Sequence, residues 1–308
     1  MSWARIGEAV THWRARWKQR RDDLAIETLR YRNRNLLAAM HERVLATPGI
    51  SCNPDARVEI HTVTAHHHLR MYLTAIKSLL RYHADIAVVV HDDGSLDDAD
   101  RAQLRDHVRG VRVVDRAVAD AAMGRILAGF PCSVRLRERV VNALELFDNI
   151  LLARTERLVN MNSDVLFLDE PRELIAWLAG EEPAIVGVYE ERPARQVEFL
   201  AANDCPFPPH VTTALTCIHK EIYDFRLVES VLGKATPDWF TAQNVYPILF
   251  HKVAATREIR FFDDQKYQSS GVFPDGAAFR HYWTSTGWFT DLQTRDSARV
   301  IDELRCAS

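Results

Sequence analysis

Apolar runs of strand length and of helix length alternate along the first half of the chain. Residues 58–64 (Val-Glu-Ile-His-Thr-Val-Thr), 86–90 (Ile-Ala-Val-Val-Val) and 111–114 (Val-Arg-Val-Val) each predict a strand. Residues 97–108 predict a helix. Apolar positions at helical spacing predict another helix after the first strand: Leu69, Tyr72, Leu73, Ile76, Leu79 and Leu80. This alternation predicts an α/β protein with a mainly parallel sheet flanked by helices, whose first half is Rossmann-like.

The second half of the chain has a less regular pattern. A helix predicted over residues 134–153 leads into the stretch Leu158–Pro171, in which two apolar runs are separated by Asn-x-Asn-Ser-Asp. Further predicted elements are helix 171–179, strand 184–188, strand 212–218, helix 223–232, a helix starting at Pro237, and strand 259–262. No repeat or long linker interrupts the chain. We therefore predict one compact catalytic-type domain over residues 51–308.

Residues 1–50 predict a separate, amphipathic helical extension. Its apolar stripe contains three tryptophans, and basic residues crowd beside it: Trp3, Ile6, Val10, Trp13, Trp17 and Leu24, with Arg14, Arg16, Lys18, Arg20 and Arg21. Two interpretations remain open. The stripe packs against protein, either the main domain or a second copy in a homo-oligomer. Alternatively, it rests on an anionic membrane surface as a peripheral contact on the inner face of the membrane.

Composition excludes several classes of protein. The formal net charge of −3 over 308 residues gives no general attraction to nucleic acid. Five cysteines without a Cys-x-x-Cys pair argue against a zinc ribbon and a disulfide framework, and they favour a reducing compartment. No apolar run reaches the roughly 18 residues of a membrane helix, and no signal-peptide core is present. The expected location is the cytoplasm.

Carboxylate and imidazole side chains fall at the predicted strand ends. Asp92 and Asp93 follow the second strand, Asp164 interrupts the stretch Leu158–Pro171, and His281 lies in a late aromatic segment. Ligands of open α/β sheets bind at the carboxyl ends of strands, where such side chains would meet a Mg²⁺ or Mn²⁺ ion and a phosphate. Asp164 in a plain turn is the alternative interpretation.

Other polar and aromatic groups allow two interpretations each. Arg135, Arg137 and Arg139 suit a diphosphate or a solvated helix face. The run His66–His68 is too tightly spaced for all three rings to bind one ion. Asp263 and Asp264 suit a polar turn better than a metal site. Three tryptophans offer either a sugar-stacking wall or core packing: Trp239, Trp283 and Trp288.

The motifs together resemble those of nucleotide-sugar-dependent glycosyltransferases of the GT-A fold. Val90-His-Asp-Asp-Gly-Ser95 is similar to the loop that binds base and ribose in these enzymes. Asn162-Ser163-Asp164 stands at the place of their Asp-x-Asp motif, and His281 at that of their late metal-binding histidine. Asp238-Trp-Phe-Thr-Ala-Gln243 resembles a segment that carries catalytic and acceptor-site residues. The resemblance covers roughly residues 58–290 and not the N-terminal extension.

The resemblance implies a hexosyltransferase-type enzyme that moves a sugar from a nucleotide-diphosphate sugar to a saccharide or lipid-linked hydroxyl. It implies Mn²⁺ or Mg²⁺ as cofactor. The implied metal ligands are Asp164, His281 and Asn162, and the implied catalytic residues are Asp238 and Gln243. The implied nucleotide-sugar ligands are Thr62, Thr64, Asp92, Asp93, Arg137, Asn162 and Ser163.

Two departures from the family pattern leave alternatives open. Asn162 replaces the first aspartate of the motif, which weakens metal binding and favours a non-catalytic scaffold subunit as the alternative. Gln243 stands where some relatives have glutamate, so Asp238, Asp204, Glu190 or Glu191 could be the base of an inverting enzyme. A sugar-1-phosphate nucleotidyltransferase is disfavoured, because Thr64-Ala-His-His-His68 replaces its glycine-rich basic loop. The donor, the acceptor and the stereochemical course stay undetermined.

Overall fold

The computed structural model describes residues 34–181, 184–189, 194–205, 211–236, 238–269, 275–283 and 289–306. The strands in this part of the chain are β1 (Ile50–Ser51), β2 (Val58–Thr64), β3 (Ala87–Asp92), β4 (Val108–Arg109), β5 (Arg112–Val114), β6 (Arg157–Met161), β7 (Val165–Phe167), β8 (Ile185–Tyr189), β9 (Val211–His219), β10 (Ile259–Phe261), β11 (Tyr267–Gln268) and β12 (Phe279–His281).

The main sheet has seven strands in the order β10-β8-β9-β6-β2-β3-β5. β6, β2, β3 and β5 are mutually parallel neighbours, and β10 is parallel to β8. Only β9 runs against its two neighbours in this sheet. The predicted mainly parallel α/β sheet is therefore confirmed, with one antiparallel strand inserted beside β6.

The helices are α1 (residues 34–42), α2 (Leu69–Leu80), α3 (Asp98–His107), α4 (Arg116–Ile126), α5 (Pro131–Arg139), α6 (Ala143–Leu151), α7 (Arg172–Ala179), α8 (Ala194–Ala201), α9 (Phe225–Gly233), α10 (Thr241–Val253) and α11 (Thr290–Cys306). Successive residues of β2 point to opposite faces of the sheet, and helices pack on both faces. Ile60 joins the core formed with α2, α7 and α11, whereas His61 faces the opposite side, where α6 packs. The sheet is thus covered on both faces, as the apolar sequence of β3 requires.

Some predicted boundaries are wrong for local reasons. The single helix predicted over residues 134–153 is two helices, α5 and α6. Val140 is extended between them, and Asn142 immediately precedes α6. The helix predicted from Pro237 begins only at Thr241, because Asp238 binds the backbone N–H of Phe240 in a turn. Helices α4, α8 and α11 were not predicted, since their apolar stripes are short or their sequences strongly polar.

The described end of the predicted N-terminal extension packs into the main core. Val44 is fully buried, and His41 Nδ1 lies 3.1 Å from Thr74 Oγ1 of α2. Lys77 Nζ donates to the Pro48 carbonyl at 2.7 Å. Residues 1–33 lie outside the described residues, so both interpretations of their apolar stripe stay predictions. None of the described helices is long and apolar enough to cross a membrane.

A second, three-stranded sheet has the order β11-β12-β7. β7 and β12 are antiparallel, with His281 opposite Val165, and the Tyr282 N–H donates to the Asp164 carbonyl at 3.0 Å. The predicted break in the stretch Leu158–Pro171 is confirmed, because β6 belongs to the main sheet and β7 to this smaller one. The break places Asp164 next to a strand that comes much later in the chain.

Candidate functional site

A cavity of about 360 Å³ opens at the carboxyl ends of β2, β3 and β6. Each neighbouring strand contributes a polar group to its wall. In the order of the sheet these are Thr213 from β9, Asp164 after β6, Thr64 from β2 and Asp93 after β3. Three strand spacings separate the first from the last, which is about 14 Å. The cavity is therefore elongated across the sheet edge, with different chemistry at its two ends.

Asp164 and His281 meet in the middle of this wall. His281 Nε2 lies 3.4 Å from Asp164 Oδ1, and the two side chains are 10% and 16% exposed. His281 Nδ1 lies 2.9 Å from the hydroxyl of Ser269, which is itself buried. This second contact orients the imidazole so that Nε2 points toward the carboxylate.

The Asp164–His281 pair fits a hard or borderline divalent cation. A metal-binding histidine usually uses its other ring nitrogen in a hydrogen bond, which is the arrangement that Ser269 provides. Asn162 and Ser163 also line the cavity and add neutral oxygen atoms. One carboxylate, one imidazole and neutral oxygens suit Mn²⁺ or Mg²⁺ when an anionic substrate completes the coordination. Asn162 lines the cavity, so its amide oxygen can be one of these neutral ligands.

The two aspartates of the Asp-Asp-Gly-Ser loop have separate surroundings. Asp92 is 3% exposed, and its carboxylate accepts from the N–H groups of Gly94 and Leu96 and from Arg101. Gly94 has φ +105°, a conformation that favours glycine. Asp93 lines the cavity and accepts from the Ser95 hydroxyl at 2.6 Å. Of the two predicted nucleotide ligands, only Asp93 reaches the cavity, and Asp92 shapes the loop.

The predicted threonines also differ. Thr64 lines the cavity, and its hydroxyl oxygen is buried without a hydrogen-bond partner. A buried hydroxyl with no partner is costly unless a ligand satisfies it. Thr62 is 1% exposed and does not line the cavity. Thr64 is therefore the better candidate of the two.

Arg137 is not brought to the cavity. Its guanidinium makes two hydrogen bonds to the Asp148 carboxylate, at 2.7 and 2.8 Å, and one to Asp120 at 2.7 Å. The side chain is 6% exposed, so the ion pair joins α5 to α6 in the interior. The flanking Arg135 and Arg139 are exposed. The expectation that Arg137 binds a diphosphate is not supported by this placement, since its donors are used inside the protein.

The turn before α10 and the short segment after β12 form an aromatic rim. Trp239, which is 53% exposed, lines the cavity with Phe240 and Trp283. Trp283 has φ +49°, a strained backbone for an aromatic residue and a feature found at binding sites. Trp288 lies outside the described residues. Two of the three tryptophans considered for sugar stacking are thus at the cavity.

The two predicted catalytic residues are close in sequence but differ in position. Gln243 lines the cavity, and its amide nitrogen lies 3.4 Å from the Thr212 hydroxyl. Asp238 does not line the cavity, and its carboxylate accepts from the Thr241 hydroxyl at 2.8 Å. The alternative carboxylate Asp204 is exposed and also outside the cavity wall, and Glu190 and Glu191 lie outside the described residues.

Glu145 is a cavity residue that the sequence did not reveal. It lies in the first turn of α6 and lines the cavity. Burial raises the pKa of its carboxyl to about 7; a hydrogen bond from Thr213 opposes this, and the nearby Asp164 carboxylate adds to it. In the sequence it is one glutamate in an amphipathic helix, and only the close approach of α6 to β9 identifies it.

The histidine run divides between two sides of a turn. His66 Nδ1 lies 2.6 Å from Asp100, which also accepts from the Asp97 N–H, so this acidic cluster is internally paired. His67 and His68 line the cavity. Burial and His67 lower the pKa of His68, while Asp164 and Asp93 raise it. As predicted, the three rings do not face one point.

The central sheet with this cavity at its edge defines an α/β fold of the GT-A class. The galactosyltransferase LgtC, crystallised with donor and acceptor sugar analogues, matches with a TM-score of 0.52 and 14% identity, over 78% of this chain and 95% of LgtC. The bifunctional glycosyltransferase WbbM matches with a TM-score of 0.52 and 14% identity, over 83% of this chain and 53% of WbbM. This chain thus spans about half the length of WbbM.

No protein-family model and no curated protein matches the sequence. At 14% identity the likeness to solved structures establishes the fold alone. The resemblance inferred from the motifs is confirmed at that level.

Proposed function

We propose that this chain is a metal-assisted glycosyltransferase that moves a sugar from a nucleotide-diphosphate sugar to a hydroxyl acceptor. One observation carries the proposal. In a GT-A fold, Thr64, Asp93, Asn162, Asp164 and His281 converge on one elongated cavity, although they come from three strand ends of the main sheet and from β12 of the second sheet. They are among the groups that the motifs predicted for nucleotide-sugar and metal binding.

The residues of the wall suggest how the donor is oriented. Asp93 and Thr64 accept and donate hydrogen bonds at the β3 end, which suits the ribose and base. Asp164, His281 and Asn162 would hold the cation at the centre. A bound divalent cation there offsets the charge that develops on the diphosphate leaving group. The sugar then lies beside the cation, near Gln243, whose amide can hydrogen-bond to its hydroxyls.

The aromatic rim extends the site beyond the donor. Trp239 and Trp283 offer apolar ring faces at the mouth of the cavity. Aromatic rings stack well on the apolar faces of pyranoses, because both surfaces are rigid and shed water on contact. This rim suits a saccharide, either free or at the head of a lipid-linked acceptor.

Replacement of Asp164 tests the proposal. We expect the unmodified protein with Mn²⁺ to be stabilised against heat by at least one of UDP-glucose, UDP-galactose and GDP-mannose, and to hydrolyse that donor slowly. Asp164→Ala should lower the rate at least about 100-fold, because the cation loses its one charged ligand. Asp169→Ala is the matched control, since Asp169 is an exposed carboxylate on the same segment outside the cavity.

Two results would contradict the proposal. One is a protein that no donor stabilises or reacts with, with or without metal. The other is equal activity in the Asp164→Ala and Asp169→Ala variants, which would leave the cavity with a scaffold role.

A further inference from the structure

The cavity contains a carboxylate to which the proposed donor contacts give no role. The wall, as far as the structure describes it, has three acidic residues. Asp93 accepts a hydrogen bond from the Ser95 N–H within its own loop, and Asp164 is paired with His281. Glu145 is the third. It comes from the first turn of α6, and its contact is with Thr213 at the β9 end.

The surroundings hold Glu145 rigidly. Buried Tyr246 donates its hydroxyl to the Glu145 backbone carbonyl at 2.8 Å. Asn160 Nδ2 lies 2.5 Å from the same hydroxyl, and Asn149 Nδ2 donates to Asn160 Oδ1 at 3.1 Å. This chain of buried hydrogen bonds fixes the first turn of α6 against β6 and α10. A side chain on such a support keeps its direction toward the cavity, as specific recognition requires.

Electrostatics indicate which part of a substrate Glu145 faces. A carboxylate repels a diphosphate, so this position does not suit the phosphate part of the donor. Glu145 is also not a third metal ligand. Among the described residues, its carboxylate does not form a group with Asp164 and His281 that is close enough to bind one ion. A hydroxyl-bearing sugar is the remaining match, because a carboxylate accepts hydrogen bonds strongly from hydroxyl groups. Since Gln243 is assigned to the sugar of the donor, Glu145 is left for the second sugar.

We propose that Glu145, positioned by Thr213, binds a hydroxyl of the saccharide that accepts the sugar. The acceptor subsite is then the β9 end of the cavity, between Glu145 and the aromatic rim of Trp239 and Trp283. This inference rests on the proposed function, since it assigns the second substrate of the same reaction. It adds a residue that the motifs did not identify.

Glu145→Gln tests this assignment with little risk to the fold, because glutamine has the same shape and carries no buried charge. The probes are the donor that stabilises the unmodified protein, Mn²⁺, and methyl glycosides of glucose, galactose and mannose. We expect the variant to raise the KM for the glycoside about 10-fold, as the loss of a charge-assisted hydrogen bond predicts. The ratio of transfer to donor hydrolysis should fall by a similar factor.

Two further variants separate binding from structure. Thr213→Val removes the hydroxyl that positions Glu145 and should raise the glycoside KM, whereas Thr213→Ser keeps the hydroxyl and should restore it. Glu138→Gln is the matched control, because Glu138 is exposed on α5 outside the cavity. Its KM values should equal those of the unmodified protein.

The outcomes distinguish this inference from the proposed function. If Glu145→Gln changes transfer and donor hydrolysis equally, Glu145 acts on the donor and the inference is wrong, while the glycosyltransferase proposal stands. The inference is also refuted if the unmodified protein hydrolyses a donor but shows no glycoside-dependent product or binding. A protein that neither binds nor hydrolyses any donor refutes the proposed function and this inference together.

Discussion

The two ends of the cavity are built in different ways. At the β3 end, Asp92 and Asp93 are held by bonds to Gly94, Ser95 and Leu96 within the same loop. From the centre to the β9 end, the contacts join distant parts of the chain: Asp164 meets His281 in the middle of the wall, and Glu145 meets Thr213 at β9. One end is a local turn, and the other is a product of tertiary packing. Substitutions should therefore have different consequences at the two ends.

The largest effect on stability is expected at the local end. Asp92→Ala removes the acceptor of two backbone N–H groups and of Arg101 from a position that is 3% exposed. The loss of these three bonds, one of them an ion pair, should lower the free energy of unfolding by about 3 kcal/mol. Urea unfolding measures this loss. Asp93→Asn keeps the bonds to Ser95 and should cost less than about 1 kcal/mol. Equal losses in the two variants would show that Asp92 does not hold the loop.

A smaller effect, on cation binding, is expected at the packed end. Ser269→Ala removes the hydroxyl that orients His281. The Mn²⁺ concentration for half-maximal thermal stabilisation should rise about 10- to 100-fold, as is typical when a histidine ligand loses its outer partner. Ser133→Ala is the control, since this buried serine bonds to Glu229 away from the cavity. A Mn²⁺ requirement that does not change in Ser269→Ala would contradict the assignment of His281 as a ligand.

The smallest effect concerns pH. The pKa of Glu145 rises from its ordinary value of 4.5 to about 7 in the folded protein. Between these values the native state keeps a proton that the unfolded chain releases, so Glu145 lowers stability as pH increases through this window. Glu145→Gln lacks this proton. Its melting temperature, measured with a chelator present, should equal that of the unmodified protein near pH 4.5 and exceed it by a few degrees at pH 8. A constant difference across the window would contradict the raised pKa.

The local end was largely predictable from sequence. Periodicity located β2 with its observed boundaries and placed α2, β3 and α3 to within a residue or two, because each is a regular element with a clear apolar pattern. The Asp-Asp-Gly-Ser loop follows directly from the end of β3. Even there, the sequence did not distinguish the buried Asp92 from the cavity-facing Asp93, since their exposure depends on Arg101 and the turn at Gly94.

The packed end was predictable only in part. Asp164 and His281 were identified through motifs, and their meeting depends on the antiparallel pairing of β7 with β12. Glu145 has no motif, and its importance appears only when α6 approaches Thr213. Arg137 shows the reverse case. Its guanidinium suited a diphosphate, but it pairs with the Asp148 carboxylate in the next helix, and the local sequence pattern does not predict that pairing.

The split of the site between two sheets has a consequence for how the protein matures. The last strand of the main sheet, β10, ends at Phe261, before β12 supplies the imidazole. A growing chain can therefore contain all seven strands of the main sheet before His281, one of the two main ligands proposed for the cation, has been added. Pairing between such distant segments is slowed by the entropy of closing a long loop. Competence to bind the cation should consequently arise only after the strands of the main sheet have been synthesised, once β12 pairs with β7.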